Sequence, residues 1–331
     1  MATTLGTVRR LLLAPSLDEV SFARRGFPGA GAPAAAHLEA VPQAVVCGFE
    51  WGIETPGQPE LERRLELVDA AQRGFAYEGA TMAYTVRDAM RGGRGTRTRD
   101  LLRGPGDRHL FLAYIGIGFA MARLPRPLWR GVLPDLPDSP YHPTMSWLAV
   151  DGYGFDRAYF ETRRWVDEQR RLPAYPWLGR ADYFPRAVDQ GVGRALWFIH
   201  AARVDDVAAA VRRFAVQRRA DLWSGVGLAA TFAGGAAGAD LAALRRDAGE
   251  YAPDLAQGAV FAAKARAHSG HVPEHTEAAM RALGDRSVAA ADHLADEVAV
   301  RARPADRVPA YETWRANVRA AFAPAPVGRD H

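Results

Sequence analysis

A glycine-centred motif recurs along the chain at nearly constant spacing. The copies read FAYEGATMAYTV, AYIGIGFAMARL, AVDGYGFDRAYF, VDQGVGRALWFIH, WSGVGLAATF and LAQGAVFAAKAR. Their first glycines are Gly79, Gly116, Gly152, Gly191, Gly225 and Gly258, separated by 37, 36, 39, 34 and 33 residues. Four copies add a second glycine two positions on: Gly118, Gly154, Gly193 and Gly227. In most copies an alanine stands four residues after the first glycine, as Ala83, Ala120, Ala195, Ala229 and Ala262. Each stretch reads as helix, yet a glycine costs a helix interior roughly 1 kcal/mol relative to alanine. Close packing of backbones along a small-residue seam recovers that cost. A dinucleotide loop does not fit, because no strand precedes the glycines and the third glycine of that fingerprint is missing.

A period of this length is the signature of helix-pair repeats. The clearest units are VDDVAAAVRRFAVQ with RADLWSGVGLAATF, and DLAALRRDAGEY with APDLAQGAVFAAKARA. Each is a polar-faced helix followed by a small-residue-rich inner helix. The expected fold is all-α, with about six to seven helical hairpins in a curved or closed α/α array. GAGAPAAA, at 29–36, is a low-complexity joint. The chain therefore divides into an N-terminal helix and linker (1–36), a repeat body (37–270) and C-terminal helices packed on the body (271–331). Two segments rich in proline and aromatic residues, from Leu124 and from Leu172, exclude long helices and are placed to cover one end of the array.

The 331-residue chain carries a formal charge of +4, but its basic residues are almost all arginine, interleaved with acids, with Lys264 the only lysine. That is not the one-sided cluster a nucleic-acid surface needs. Cys47 is the only cysteine, so no disulfide forms within the chain. The longest N-terminal apolar run is three leucines, too short for a secretion signal, and no window reaches the length of a membrane span. A soluble, cytoplasmic protein is expected.

The residue before each first glycine is Glu78, Ile115, Asp151, Gln190, Ser224 or Gln257, polar in five of six copies. If the repeats are equivalent, these side chains ring a common space; the alternative is helix-start capping. A one-residue shift between AVDGYG and AVDQGVG would instead make Asp151 and Asp189 the equivalent pair. Glu50, in GFEWGIE, stands one helical turn from Glu54, and paired carboxylates shift each other's proton affinity. His268, His271 and His275 have ligand-like spacing, but Gly270 and Pro273 break the helix between them, so no metal site is assigned. No GxSxG, HExxH, DDxxD or DxDD motif is present, and no haem, flavin or iron–sulfur signature, so no cofactor is assigned.

The blocks LLAPSLDEVSFARRGF, VVCGFEWGIE, RGFAYEGATMAYTV, YIGIGFAMARLPRPLW, PTMSWLAVDGYGFDRAYF, DYFPRAVDQGVGRALWFIH and DLWSGVGLAATFAGG together resemble the DUF1702 family, and within it the UnbL-type proteins of enediyne biosynthesis. The resemblance runs from about Leu11 to Ala267. It implies a pathway: proteins of this type accompany an enediyne polyketide synthase, UnbV-type proteins and membrane-like UnbU-type proteins, which would act as partners and recruit the chain to a membrane. It supplies no catalytic residue. Combined with the repeat, it leads to a protein that binds a linear apolar polyene and helps to process it toward the enediyne core. Glu50, Glu78, Asp151 and Asp189 would move protons, while Trp51, Tyr114, Tyr153, Gln190, Trp197 and Trp223 would line the channel. The alternative is a non-catalytic repeat scaffold holding the synthase or the membrane partner. A closed apolar cavity favours the first reading and an open polar groove the second.

Overall fold

The computed structural model describes residues 15–92, 95–301 and 307–323. Residues 1–14 of the expected N-terminal helix and linker lie outside the described residues. Among the described residues the regular structure is helical, with no strand beyond one isolated bridge, Trp177 to Arg180. The main helices are α1 (Ala35–Glu54), α2 (Gln58–Glu66), α3 (Ala70–Ala89), α4 (Leu110–Arg123), α5 (Leu148–Phe160), α6 (Phe184–Ile199), α7 (Val204–Arg213), α8 (Val216–Ala233), α9 (Gly238–Ala248), α10 (Ala252–Ser269), α11 (Glu274–Gly284), α12 (Val288–Glu297) and α13 (Ala310–Ala320).

Seven of these, α1, α3, α4, α5, α6, α8 and α10, pack each on the next in chain order. The repeated glycines are the contact points, under one rule. A Cβ on the first glycine of a helix would collide with the backbone carbonyl of the residue before the equivalent position in the preceding helix. Gly79 lies on Val45, Gly116 on Glu78, Gly152 on Ile115, Gly191 on Asp151, Gly225 on Gln190 and Gly258 on Ser224. The second glycine receives the following helix: Gly48 meets Ala76, Gly118 meets Ala149, Gly154 meets Val188, Gly193 meets Leu222 and Gly227 meets Leu255. The first inner helix, α1, has the second glycine (Gly48) but Val46 at the first position. The last, α10, has the first glycine (Gly258) but Val260 at the second. Only α3 departs from the rule inside the array, with the buried Thr81 in place of a second glycine.

The expected helical hairpins are present only in part. α2, α7 and α9 each precede an inner helix, as the repeat reading requires. Between α4, α5 and α6 the chain returns through short 3-10 and π turns in the two proline-rich segments. These segments still cover inner helices, with Trp129 packed on Tyr153, Tyr175 and Phe184.

The array curls back on itself. Phe75 of α3 meets Phe232 of α8 edge-on at 5.3 Å, and Phe111 of α4 meets Phe261 of α10 at 5.5 Å. Arg266 of α10 donates to the carbonyl of Ala71 at 3.1 Å and to that of Phe232 at 2.7 Å. The N-terminal turns close another side, where the Tyr159 hydroxyl donates to the carbonyl of Val20 at 2.5 Å. α11, α12 and α13 pack on α10. The single lysine, Lys264, fixes α12 through Asp292 (2.9 Å) and Asp296 (2.7 Å).

Candidate functional site

The glycine rule sets which side chains are equivalent. Glu78, Ile115, Asp151, Gln190 and Ser224 each present their carbonyl to the next helix's first glycine. The partner of Asp151 in the repeat is therefore Gln190, and the alternative register pairing Asp151 with Asp189 is not the one adopted. The equivalent side chains do not ring one space. Val45, Glu78 and Ile115 line apolar slots, whereas Asp151, Gln190, Ser224 and Gln257 belong to a buried polar run.

Two slots lie inside the curl, with volumes of about 70 Å³ and 30 Å³. Valines, Met82 and the rings of Phe49, Phe119 and Phe155 face the larger; Phe111, Phe232, Phe261 and alanines of α8 and α10 face the smaller. Phe75, Glu78, Arg194 and Phe198 line both, so these four side chains stand between the two slots. Phe75 stands one helical turn before Glu78 on α3, and Phe198 one turn after Arg194 on α6, which places ring and charge on the same helix face.

Glu78 is 3% exposed, and among the described residues its carboxylate has no hydrogen-bond partner. Burial pushes its carboxyl up to about 8; Arg194 acts against that rise and Asp151 adds to it. A carboxyl in this state keeps its proton at neutral pH. Arg194 does not ion-pair with Glu78 because Asp151 holds it: Oδ1 of Asp151 accepts from Nε at 2.6 Å and lies 2.5 Å from Nη2. The guanidinium also lies 4.8 Å above the Phe155 ring. Burial raises the Asp151 carboxyl and Arg194 opposes it, while Oδ2 of Asp151 is buried without a hydrogen bond.

Behind Asp151 the polar run reaches α13. The Tyr311 hydroxyl donates to Gln190 Oε1 at 3.0 Å, and Gln190 Nε2 donates to the Tyr183 hydroxyl at 3.2 Å. Arg315, fully buried, donates to Gln257 (3.0 Å), Tyr183 (2.8 Å), Asp221 (2.9 Å) and Glu312 (2.7 Å). Ser224 donates to Gln257 at 2.8 Å. Burial raises Glu312, but Arg315, Arg186 and Arg319 outweigh it and hold the carboxyl down at about 2.

Of the residues expected from sequence, Glu78 faces the slots and Asp151 stands behind it through Arg194. Gln190 is in the polar run. Asp189 is bound bidentately by Arg218 at 2.9 and 2.6 Å, away from the slots. Glu50 is half-buried on α1 and does not line them, and Trp51 packs beside the separate apolar cluster of Leu61, Leu65 and Tyr77. Tyr114 is buried with its hydroxyl 2.9 Å from His142 Nδ1, Tyr153 packs on Trp129, and Trp197 donates to the carbonyl of Gly234 at 2.8 Å. Trp223 is buried in the main core. None of these aromatic residues lines a slot. His268 and His275 bond to the backbone carbonyls of Asp107 and Phe232. Sequence reasoning missed Arg194, Phe75, Phe198 and the α13 trio Tyr311, Glu312 and Arg315. The one available signal was the arginine inside the otherwise apolar GVGRALWFI.

No helix among the described residues is long and apolar enough to cross a membrane. No curated protein and no solved structure matches the chain. Residues 4–322 match a family described as "Protein of unknown function (DUF1702)", and the chain belongs to that family.

Proposed function

We propose that this protein binds a linear conjugated polyene and takes part in its conversion toward an enediyne core. The observation that carries the reading is the pair of apolar slots that share a single uncharged carboxyl, Glu78. Ligand sites are characteristically apolar clefts with a few convergent polar groups. The apolar lining suits a hydrocarbon chain, and the phenylalanine rings suit a flat π-system. Arg194 lines both slots beside Glu78, and Asp151 holds it from behind. The resemblance to UnbL-type proteins supplies the pathway.

Titration of the purified protein with a linear conjugated polyene hydrocarbon tests this. Saturable one-to-one quenching of tryptophan emission, with a red shift of the polyene absorption, is expected. Folded protein that neither quenches nor shifts the spectrum would overturn the reading.

The scaffold reading draws on a different feature, an outer bowl of about 790 Å³ whose lining includes Arg63, Glu66, Arg73, Arg108 and His271. Its test is capture of the polyketide synthase by the full chain, with the slots left empty.

A further inference from the structure

The Glu78 side chain lines both slots, so a chain seated in either would lie beside it. Phe75 and Phe198 line both slots with it. The nearby guanidinium of Arg194 is already matched by Asp151 at 2.6 Å, so the site presents one acid beside a neutral pair. The other ion pair on the lining, Arg123 with Asp156 at 2.6 Å, is also internally matched. Asp151 cannot take the role of Glu78, because it lines neither slot.

From this geometry we infer that Glu78 moves a proton along the bound chain, making the protein a redox-neutral isomerase of conjugated polyenes. The inference rests on the polyene-binding reading above. In the forward step the carboxyl O–H bond breaks and a C–H bond forms from one π pair of the polyene. The positive charge left behind spreads over alternate carbons of the conjugated chain, and the adjacent ring faces stabilise it. The carboxylate then removes a proton from another carbon, and that C–H pair restores a double bond. The product has the formula of the substrate with a double bond shifted or reconfigured, and Glu78 regains its proton. No oxidant, reductant or co-substrate enters the balance. The raised proton affinity of Glu78 keeps the acid loaded at neutral pH, and Arg194 stabilises the carboxylate while the proton is away. The apolar lining of the slots limits capture of the cation by water.

The test incubates the full chain with a synthetic all-trans conjugated polyene hydrocarbon in deuterated buffer near neutral pD. Mass spectrometry reads deuterium in recovered polyene, and tryptophan quenching reads binding in the same samples. Wild-type protein is expected to raise carbon-bound deuterium at least tenfold over buffer. Glu78→Gln should return exchange to the buffer level while quenching persists, and Glu78→Asp should retain part of it. Quenching without deuterium uptake by the wild type would overturn the isomerase inference and leave the binding reading intact. Uptake undiminished in Glu78→Gln would also overturn it. Absence of quenching by the folded wild type would overturn both.

Discussion

Arg194 donates from Nε to Oδ1 of Asp151 at 2.6 Å, with Nη2 2.5 Å from the same oxygen but not hydrogen-bonded to it, and the carboxyl of Glu78 is left without a hydrogen bond. The three groups divide one positive charge between two acids, and geometry gives it to Asp151. Neutralising Asp151 should reverse that allocation. In Asp151→Asn the like charge that raises Glu78 is gone and Arg194 is released to turn toward it. The Glu78 midpoint, read from its carboxyl infrared band across a pH series, is expected to fall from about 8 by about one unit or more. A midpoint that stays or rises would show that Asp151 does not set it.

The same carboxyl gives stability a pH dependence with a definite sign. Its ordinary value is 4.5 and its folded value about 8, so the folded state holds the proton more tightly than the unfolded state. This contribution is fully present below pH 4.5 and is lost as pH rises toward 8. Glu78→Gln removes it. Relative to wild type, the variant is expected to gain on the order of 3 kcal/mol between pH 5 and pH 8.5, measured by urea unfolding. Parallel pH–stability curves for the two proteins would contradict this.

The helix seams make an equally sharp prediction. In Gly225→Ala the new methyl would strike the Gln190 carbonyl and the Arg194 amide, both backbone atoms that cannot move aside cheaply. The loss is expected to be about 3 kcal/mol or more. Gly238→Ala, at a helix start with nothing near its added Cβ, should be neutral or gain roughly 0.5 kcal/mol. Thermal melts of the two variants would separate a packing role for Gly225 from a general intolerance of alanine.

Arg315 tests whether α13 is integral to the core. Arg315→Met leaves Asp221 and Glu312 buried with less compensation, and a loss of about 3–5 kcal/mol is expected. Acid sensitivity should change too. Glu312, held at about 2 against an ordinary 4.5, contributes stability above pH 4.5 that is lost as pH falls toward 2. The variant should show a shallower loss across that window in acid titrations followed by circular dichroism.

The inner slot can be filled from within. Ala229 lines the smaller cavity and is buried. Ala229→Leu adds three carbons, more than its 30 Å³ can hold. Polyene quenching is expected to weaken at least tenfold while Phe119→Leu, in the wider slot, has a smaller effect. Equal affinity in wild type and Ala229→Leu would place the ligand outside the inner slot.

The seams were legible because glycine has one dominant reason to recur in helices that pack closely, and its spacing survives in one dimension. Glu78 was legible for a related reason: an acid beside such a glycine cannot point to solvent. The aromatic candidates were not resolved, since Trp51, Tyr114 and Trp197 read as apolar whichever face they occupy. Only the direction of the glycine seam separates the slot side of a helix from its back. Arg315 gave least signal of all. TWRANVR has the pattern of an ordinary surface helix, and its partners Tyr183 and Asp221 stand 132 and 94 residues away.

The uneven distribution of glycines between the first and last inner helices has a further meaning. α1 keeps only the glycine that receives a following helix, Gly48, and α10 only the one that seats it on a preceding helix, Gly258, with Val46 and Val260 at the other two positions. The chain thus carries start and stop marks. Because α3 seats α4 with Thr81 in place of a second glycine, these marks favour the two ends without forbidding a further unit. The first and the last helix of the interior are thus told apart by which glycine each one lacks.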